Sequence, residues 1–139
     1  MIRIVFLIAA LFSTPAVAQH TQLSMCRQGQ PNSSTKTCIV DGDTLWLDGH
    51  NLRLKSFDTP EPHSQICGGR KEVELANRSS ARLRELLNSN PWTVETFDTD
   101  RYGRTLATIR IGRQDVGDIL IAEGLARRWP DGDEWWCRF

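Results

Sequence analysis

The chain has 139 residues, 40% of them hydrophobic and 24% charged, with 17 lysines and arginines against 17 aspartates and glutamates. That length supports one domain around one core, and the composition excludes a disordered chain or a fibre. The balanced charge argues against a protein that holds nucleic acid by overall basicity, since such binders draw their affinity from neutralising phosphates.

Met1-Ile2-Arg3 makes a short positive start, Ile4 to Phe12 is an unbroken apolar run, and Ala16-Val17-Ala18 follows the small-x-small pattern of signal peptidase. Together these predict a secretory signal peptide cut after Ala18. The apolar run is too short for a membrane span, which needs roughly 18 residues or more. Met25 before Cys26 is not small, which argues against a lipid-anchored cysteine. The expected organisation is a signal peptide over 1–18, an N-terminal segment over 19–35 and a folded domain over 36–139, in a secreted or periplasmic protein. Loss of Arg3 with the signal leaves 16 basic residues against 17 acidic ones, a net charge of −1.

Export makes disulfides the default for Cys26, Cys38, Cys67 and Cys137. Four cysteines allow three pairings. None has the C-x-x-C spacing of a zinc site. The favoured pairing is Cys26–Cys38, closing a short loop around Pro31-Asn32-Ser33-Ser34, with Cys67–Cys137 tying the C-terminus back to the body.

Along the chain, Lys36 to Val40 reads as a short strand ending in the turn signal Asp41-Gly42. Thr44 to Leu47 is a strand, Asp48-Gly49 a two-residue hairpin loop, and His50 to Phe57 the returning strand. That strand would put Leu52 and Leu54 on one face and Arg53, Lys55 and Phe57 on the other. Asp58 to Pro62 carries two prolines and ends it. Helical spacing then predicts a helix over about Arg70–Leu87, burying Val73, Ala76, Leu83, Leu86 and Leu87, and Asn88-Ser89-Asn90-Pro91 stops it. Trp92 to Phe97 and Arg104 to Ile111 are strands around a polar turn at Asp98–Gly103. A second helix spans about Gln114–Glu123, with Gly124 as its C-cap. The tail from Arg127 to Phe139 has no clear period. This order predicts an α+β, mainly β domain: a five-stranded OB-fold barrel with two to three helices.

Asp41-Gly42-Asp43 stands at a strand start and Asp58-Thr59-Pro60-Glu61 at a strand end. Either segment alone could be only a turn. The Asp48-Gly49 hairpin, however, pairs Leu47 with His50, Thr44 with Arg53 and Asp43 with Leu54, which brings Asp43 and Asp58 to the same end of the strand pair. Converging carboxylates repel unless a cation lies between them. Calcium, taking roughly 6–8 oxygens, suits Asp43, Asp58, a carbonyl near Thr59 and water. Arg53 and Arg104 could as easily be solvated or ion-paired strand residues.

Val40-Asp41-Gly42-Asp43-Thr44, Leu52-Arg53-Leu54, Asp58-Thr59-Pro60-Glu61 and Asp100-Arg101-Tyr102-Gly103-Arg104, in this order and spacing, resemble the staphylococcal nuclease (thermonuclease) family. The resemblance covers about Thr37 to Arg128. It implies an OB-fold and calcium-dependent hydrolysis of phosphodiester bonds in DNA or RNA, by a chain expected to be a monomer free of the membrane once its signal is removed. By position it implies that Asp43, Asp58 and the Thr59 carbonyl hold Ca2+. Glu61 would orient or deprotonate the attacking water, Arg53 and Arg104 would grip the scissile phosphate, and Arg101 and Tyr102 would contact the nucleotide.

The chain also departs from the family pattern. The long basic C-terminal helix is not matched before Phe139, and His63-Ser64-Gln65-Ile66-Cys67 replaces the basic loop after the acidic motif. Trp129, Trp135 and Trp136 are candidates either to stack a base or to pack against the barrel. His20, His50 and His63 are expected at the surface. The competing reading is a non-catalytic OB module that binds single strands or a protein partner. Near-neutral charge favours it, and the combination of Asp43, Arg53, Asp58, Glu61 and Arg104 disfavours it.

Overall fold

The computed structural model describes residues 22–139, so the expected signal peptide and His20 lie outside the described residues. Five strands carry the main sheet: β1 (Cys38–Ile39), β2 (Thr44–Leu47), β3 (His50–Leu54), β5 (Thr93–Thr99) and β6 (Thr105–Ile111). They are hydrogen-bonded in the order β1-β2-β3-β6-β5, and a short β7 (Gln114–Asp115) also pairs with β6. A separate ribbon joins β4 (Phe57–Asp58) to β8 (Arg127–Arg128). All these pairs are antiparallel except β3–β6. A parallel pair needs a long crossover, and the segment between β3 and β6, which includes helix α1 (Gly69–Ser89), supplies it. Helix α2 (Val116–Ala122) follows β7, and a 3₁₀ turn (Trp135–Arg138) ends the chain. The parallel pair makes the sheet mixed, and among the described residues the ladders form an open path with β1 and β5 at its ends, not closed by hydrogen bonds. No helix of the described residues is long and apolar enough to cross a membrane.

The Asp48-Gly49 hairpin has the register expected from sequence, with Leu47 opposite His50 and Thr44 opposite Arg53. Leu54 N donates to the Asp43 carbonyl at 2.8 Å, which extends the pairing one step beyond β2. Asp48 and Gly49 both have positive φ, 46° and 80°, the backbone of a tight hairpin turn.

The third strand is shorter than the pattern suggested. Ser56 adopts φ 75° and breaks the alternation. Phe57 therefore turns inward and is 1% exposed, instead of facing out with Arg53 and Lys55. It packs so closely on α2 that a Cβ on Gly117 would fall 2.2 Å from its ring. The second helix starts later than expected, because Gln114 and Asp115 extend the sheet by pairing with Ile111 and Arg110. Asp115 then caps the helix, its Oδ1 accepting from Gly117 N at 2.8 Å. Gly124, at φ 71°, ends it as expected.

The buried face of α1 is broader than its apolar residues alone. It comprises Glu72, Leu75, Ala76, Ser79, Ser80, Leu83, Leu86 and Leu87, with Val73 only half-buried. The two serines are buried without cost because both hydroxyls find carbonyls: Ser79 those of Leu75 and Leu125, Ser80 that of Ala76. Leu45, Leu52, Leu54 and Ile109 of the sheet meet Leu83 and Leu87 of α1, Leu120 of α2 and Trp136 in one core. Leu23 joins that core, and its backbone N–H and carbonyl both bond the Asn88 side chain. Met25 bridges to Ile39. The cysteines are bonded Cys26–Cys38 and Cys67–Cys137, the favoured pairing of the three.

Candidate active site

The turn between β1 and β2 sets the first carboxylates. Asp41 Oδ1 accepts from Asp43 N at 3.1 Å, a local turn that aims Asp43 inward. Gly42 leaves room for this: a Cβ there would meet Thr59 Cγ2 at 2.7 Å and Ser79 Cβ at 2.9 Å. Asp43 is 5% exposed. Its Oδ1 accepts from the Thr44 hydroxyl at 3.0 Å, and its Oδ2 from Thr59 N at 3.0 Å and the Thr59 hydroxyl at 3.1 Å. The acidic turn and the Asp58–Glu61 segment are thus joined directly, although 16 residues separate Asp43 from Thr59.

Arg53 stands between the two aspartates. Its Nη2 lies 3.3 Å from Asp43 Oδ2 and 3.3 Å from Asp58 Oδ1. Its Nη1 donates to the carbonyls of Leu54 and Phe57. The guanidinium is therefore fixed by four partners, which only a planar fork of donors can satisfy at once.

Asp58 is held from its other side by a residue that sequence reasoning did not single out. Arg127 Nε and Nη2 each lie 2.9 Å from Asp58 Oδ2, and Arg127 Nη1 donates to the Gly132 carbonyl. The β4–β8 ribbon, with Asp58 opposite Arg127, makes this contact. Nothing in the local sequence marks Arg127, because the pairing joins segments 69 residues apart.

Glu61, Arg101, Tyr102 and Arg104 line the same cleft as Asp43 and Asp58. Arg101, Tyr102 and Arg104 come from the β5–β6 turn, where Asp100 is the organiser. It accepts from the backbone of Tyr102 and Arg104, and from Arg104 Nε at 2.8 Å. Tyr102 is exposed, and the Arg101 and Arg104 guanidiniums lie 4.8 and 5.4 Å from its ring. Of the three tryptophans in the tail, Trp136 is buried and Trp135 packs against the core, whereas Trp129 is exposed at the cleft. His50 and His63 are exposed, as expected.

Crowding of acids raises their proton affinity. Burial, reinforced by the charges of Asp43 and Asp58, pushes Glu61 up to about 7. Burial and the charge of Asp43 push Asp41 up to about 8. Asp58 is raised by burial and by Asp43, against the opposing pull of Arg127 and Arg53. These carboxylates share a site whose negative charge two arginines do not fully offset. Among the described residues the cleft lining offers carboxylate oxygens and no histidine or cysteine, the donor set of a hard cation such as calcium. Cys67, Glu134 and Cys137 also cluster, but the two sulfurs are bonded to each other and are not available as metal ligands.

The mixed sheet presents carboxylates and arginines in one cleft, and comparison with known proteins gives that frame a family. The sequence pattern of the family described as "Staphylococcal nuclease homologue" matches residues 51–133, more than half of the chain. The chain belongs to this family. It is 35% identical over 97 residues to the "Thermonuclease" of Staphylococcus hyicus, covering 64% of this chain and 54% of that protein. It is 34% identical over 92 residues to the "Succinoglycan biosynthesis protein ExoI" of Rhizobium meliloti (strain 1021), covering 63% of this chain and 48% of that protein. It is also 34% identical over 99 residues to the "SPbeta prophage-derived endonuclease YokF" of Bacillus subtilis (strain 168), covering 63% of this chain and 31% of that protein. The chain thus spans about half or less of the length of these curated relatives.

Proposed function

We propose that this chain is an exported nuclease that hydrolyses phosphodiester bonds of DNA or RNA with the help of calcium. The observation that carries this reading is Arg53, within 3.3 Å of both Asp43 and Asp58, in a cleft that also contains Glu61 and Arg104. A module that only binds strands has no use for carboxylates that repel its ligand.

Asp43, Asp58 and the Thr59 carbonyl would hold the cation. Calcium, when bound, supplies positive charge to the phosphoryl oxygens and to the attacking water. Arg53 and Arg104 bind the scissile phosphate from their fixed positions. Negative charge grows on the phosphoryl oxygens during in-line attack, so the two guanidiniums bind the transition state more tightly than the ground state. Glu61 orients the water or takes its proton, a task suited to a carboxylate whose proton affinity has been raised toward neutral pH. Arg101 and Tyr102 contact the nucleotide. The strand order supports an OB-type sheet: counted in sheet order it is one, two, three, five, four, with a parallel pair between the third and fifth strands. Export through a signal peptide over residues 1–18 is supported by the N-terminal pattern and by two disulfides.

The test is direct. The protein lacking residues 1–18 is incubated with plasmid and with single-stranded DNA or RNA, in calcium and then with EDTA. Cleavage that requires calcium and is lost in Glu61→Gln is the expected result. Binding without cleavage in calcium would replace this reading with a non-catalytic module.

A further inference from the structure

Glu61 belongs to neither a strand nor a helix. Its side chain is placed only as well as the loop that carries it. The following segment, His63 to Cys67, is exposed, and Gln65 within it adopts φ 55°. Nothing in such a loop holds a carboxylate to the sub-ångström tolerance that catalysis requires, so the restraint must come from outside it.

Glu72, in the first turn of α1, supplies one. It is a charged residue with 0% exposure. Its Oε1 accepts from Glu61 N at 3.2 Å, and its Oε2 accepts from Cys67 N and Gly68 N at 2.6 Å each. No lysine or arginine pairs with it among the described residues, so backbone N–H groups carry the whole task of solvating this buried charge. A glutamate near a helix start that reaches back to the N-cap N–H is an ordinary capping device, and that accounts for the Gly68 bond. It does not account for the bond to Glu61, 11 residues earlier. One side chain therefore closes the loop at both ends. The C-terminal tail seals it: a Cβ on Gly68 would fall 1.9 Å from the Trp136 carbonyl oxygen, and Cys67 is bonded to Cys137.

We infer that Glu72 is the positioning residue for Glu61, a buried carboxylate clamp that fixes the loop bearing the water-directing group. This rests on the role proposed for Glu61. Loss of one acceptor oxygen in Glu72→Gln frees an end of the loop and lets Glu61 drift from the attacking water, while Asp43, Arg53, Asp58 and Arg104 keep their own supports.

The experiment compares the parent, Glu72→Gln, Glu72→Asp, Glu61→Gln and the Glu61→Gln/Glu72→Gln double variant, with rates expressed per folded molecule. In Glu72→Gln, kcat falls by about tenfold or more while KM and the calcium concentration for half activity stay within about twofold. In the Glu61→Gln background the second substitution costs nothing further, because the group it positions has already been disabled. An unchanged kcat in Glu72→Gln, or an undiminished loss in the double variant, overturns the inference. Glu72→Asp keeps the charge but shortens the reach, and it is expected to lose rate as Glu72→Gln does. Amide hydrogen exchange on the parent reads the clamp without any substitution: protection of the Glu61, Cys67 and Gly68 N–H groups is expected, and exchange at the rate of an open loop overturns the clamp. A parent that shows no calcium-dependent cleavage overturns the nuclease reading instead, and the exchange result then decides the clamp by itself.

Discussion

Arg127 meets Asp58 with two nitrogens, Nε and Nη2, each 2.9 Å from the same carboxylate oxygen. Both side chains are largely shielded, with 11% and 16% of their surface exposed. The second Asp58 oxygen faces Arg53. The proposed cation ligand is thus held between two guanidiniums, one from β3 and one from β8.

Truncating Arg127 removes one half of this support. Arg127→Met is expected to destabilise the metal-free protein by about 2–3 kcal/mol, somewhat less than a fully orphaned buried charge because Arg53 remains beside Asp58. Calcium supplies a substitute charge, so the loss is expected to shrink when it is added. Urea unfolding in EDTA and in calcium measures both values, and an equal loss in the two conditions would count against Asp58 as a cation ligand.

Arg53 makes four contacts from one fork. A lysine keeps the charge but cannot reach both aspartates and both carbonyls. Arg53→Lys is therefore expected to lower kcat by about a hundredfold or more and to lower the melting temperature as well. Steady-state kinetics and thermal unfolding check the two effects separately.

Asp41 gives a pH dependence with a definite sign. Its carboxyl is raised from 3.8 to about 8, by burial and by Asp43, so the folded protein holds this proton more tightly than the unfolded chain does. That contribution is present below the unfolded value and is lost as pH rises through the folded one. Asp41→Asn fixes the neutral state and retains an acceptor for Asp43 N. In EDTA its melting temperature is expected to exceed the parent's by more at about pH 9 than at about pH 6. A difference that stays constant or narrows with rising pH would show that Asp41 is not crowded by its neighbours.

The two disulfides differ in what they restrain. Cys26–Cys38 spans 12 residues and Cys67–Cys137 spans 70. Chain entropy puts their contributions at about 3 and about 4 kcal/mol. Paired serine substitutions, compared by urea unfolding, are expected to show the larger loss at Cys67–Cys137. Removal of that bond is also expected to lower activity, since it anchors the tail against the loop of Glu61.

Local features carried much of this structure. The Asp48-Gly49 turn sets the hairpin register by loop geometry alone, and that register brings Asp43 beside the end of β3. Helical spacing revealed α1, and Gly124 marked the end of α2. Errors fell where a tertiary contact overrode a local pattern. Phe57 reads as an outward residue by alternation, yet Ser56 at positive φ turns it into the core. Gln114 and Asp115 read as helix but are drawn into the sheet by β6. Glu72 had left a trace, as a charged residue on the apolar stripe of α1 shared with Leu75, Ala76 and Leu83. Arg127 had left none.

By itself the sequence determined which charged groups stand in short motifs and in what order, because Asp43, Arg53, Asp58, Glu61 and Arg104 sit in segments whose turns and strands are governed by neighbouring residues. Only the tertiary structure decided what supports them. Arg127 reaches Asp58 through a ribbon between distant segments, and Glu72 reaches Glu61 through a loop folded back on a helix. Such contacts depend on how elements pack, and no spacing along a chain encodes the direction in which a buried side chain finds its partner.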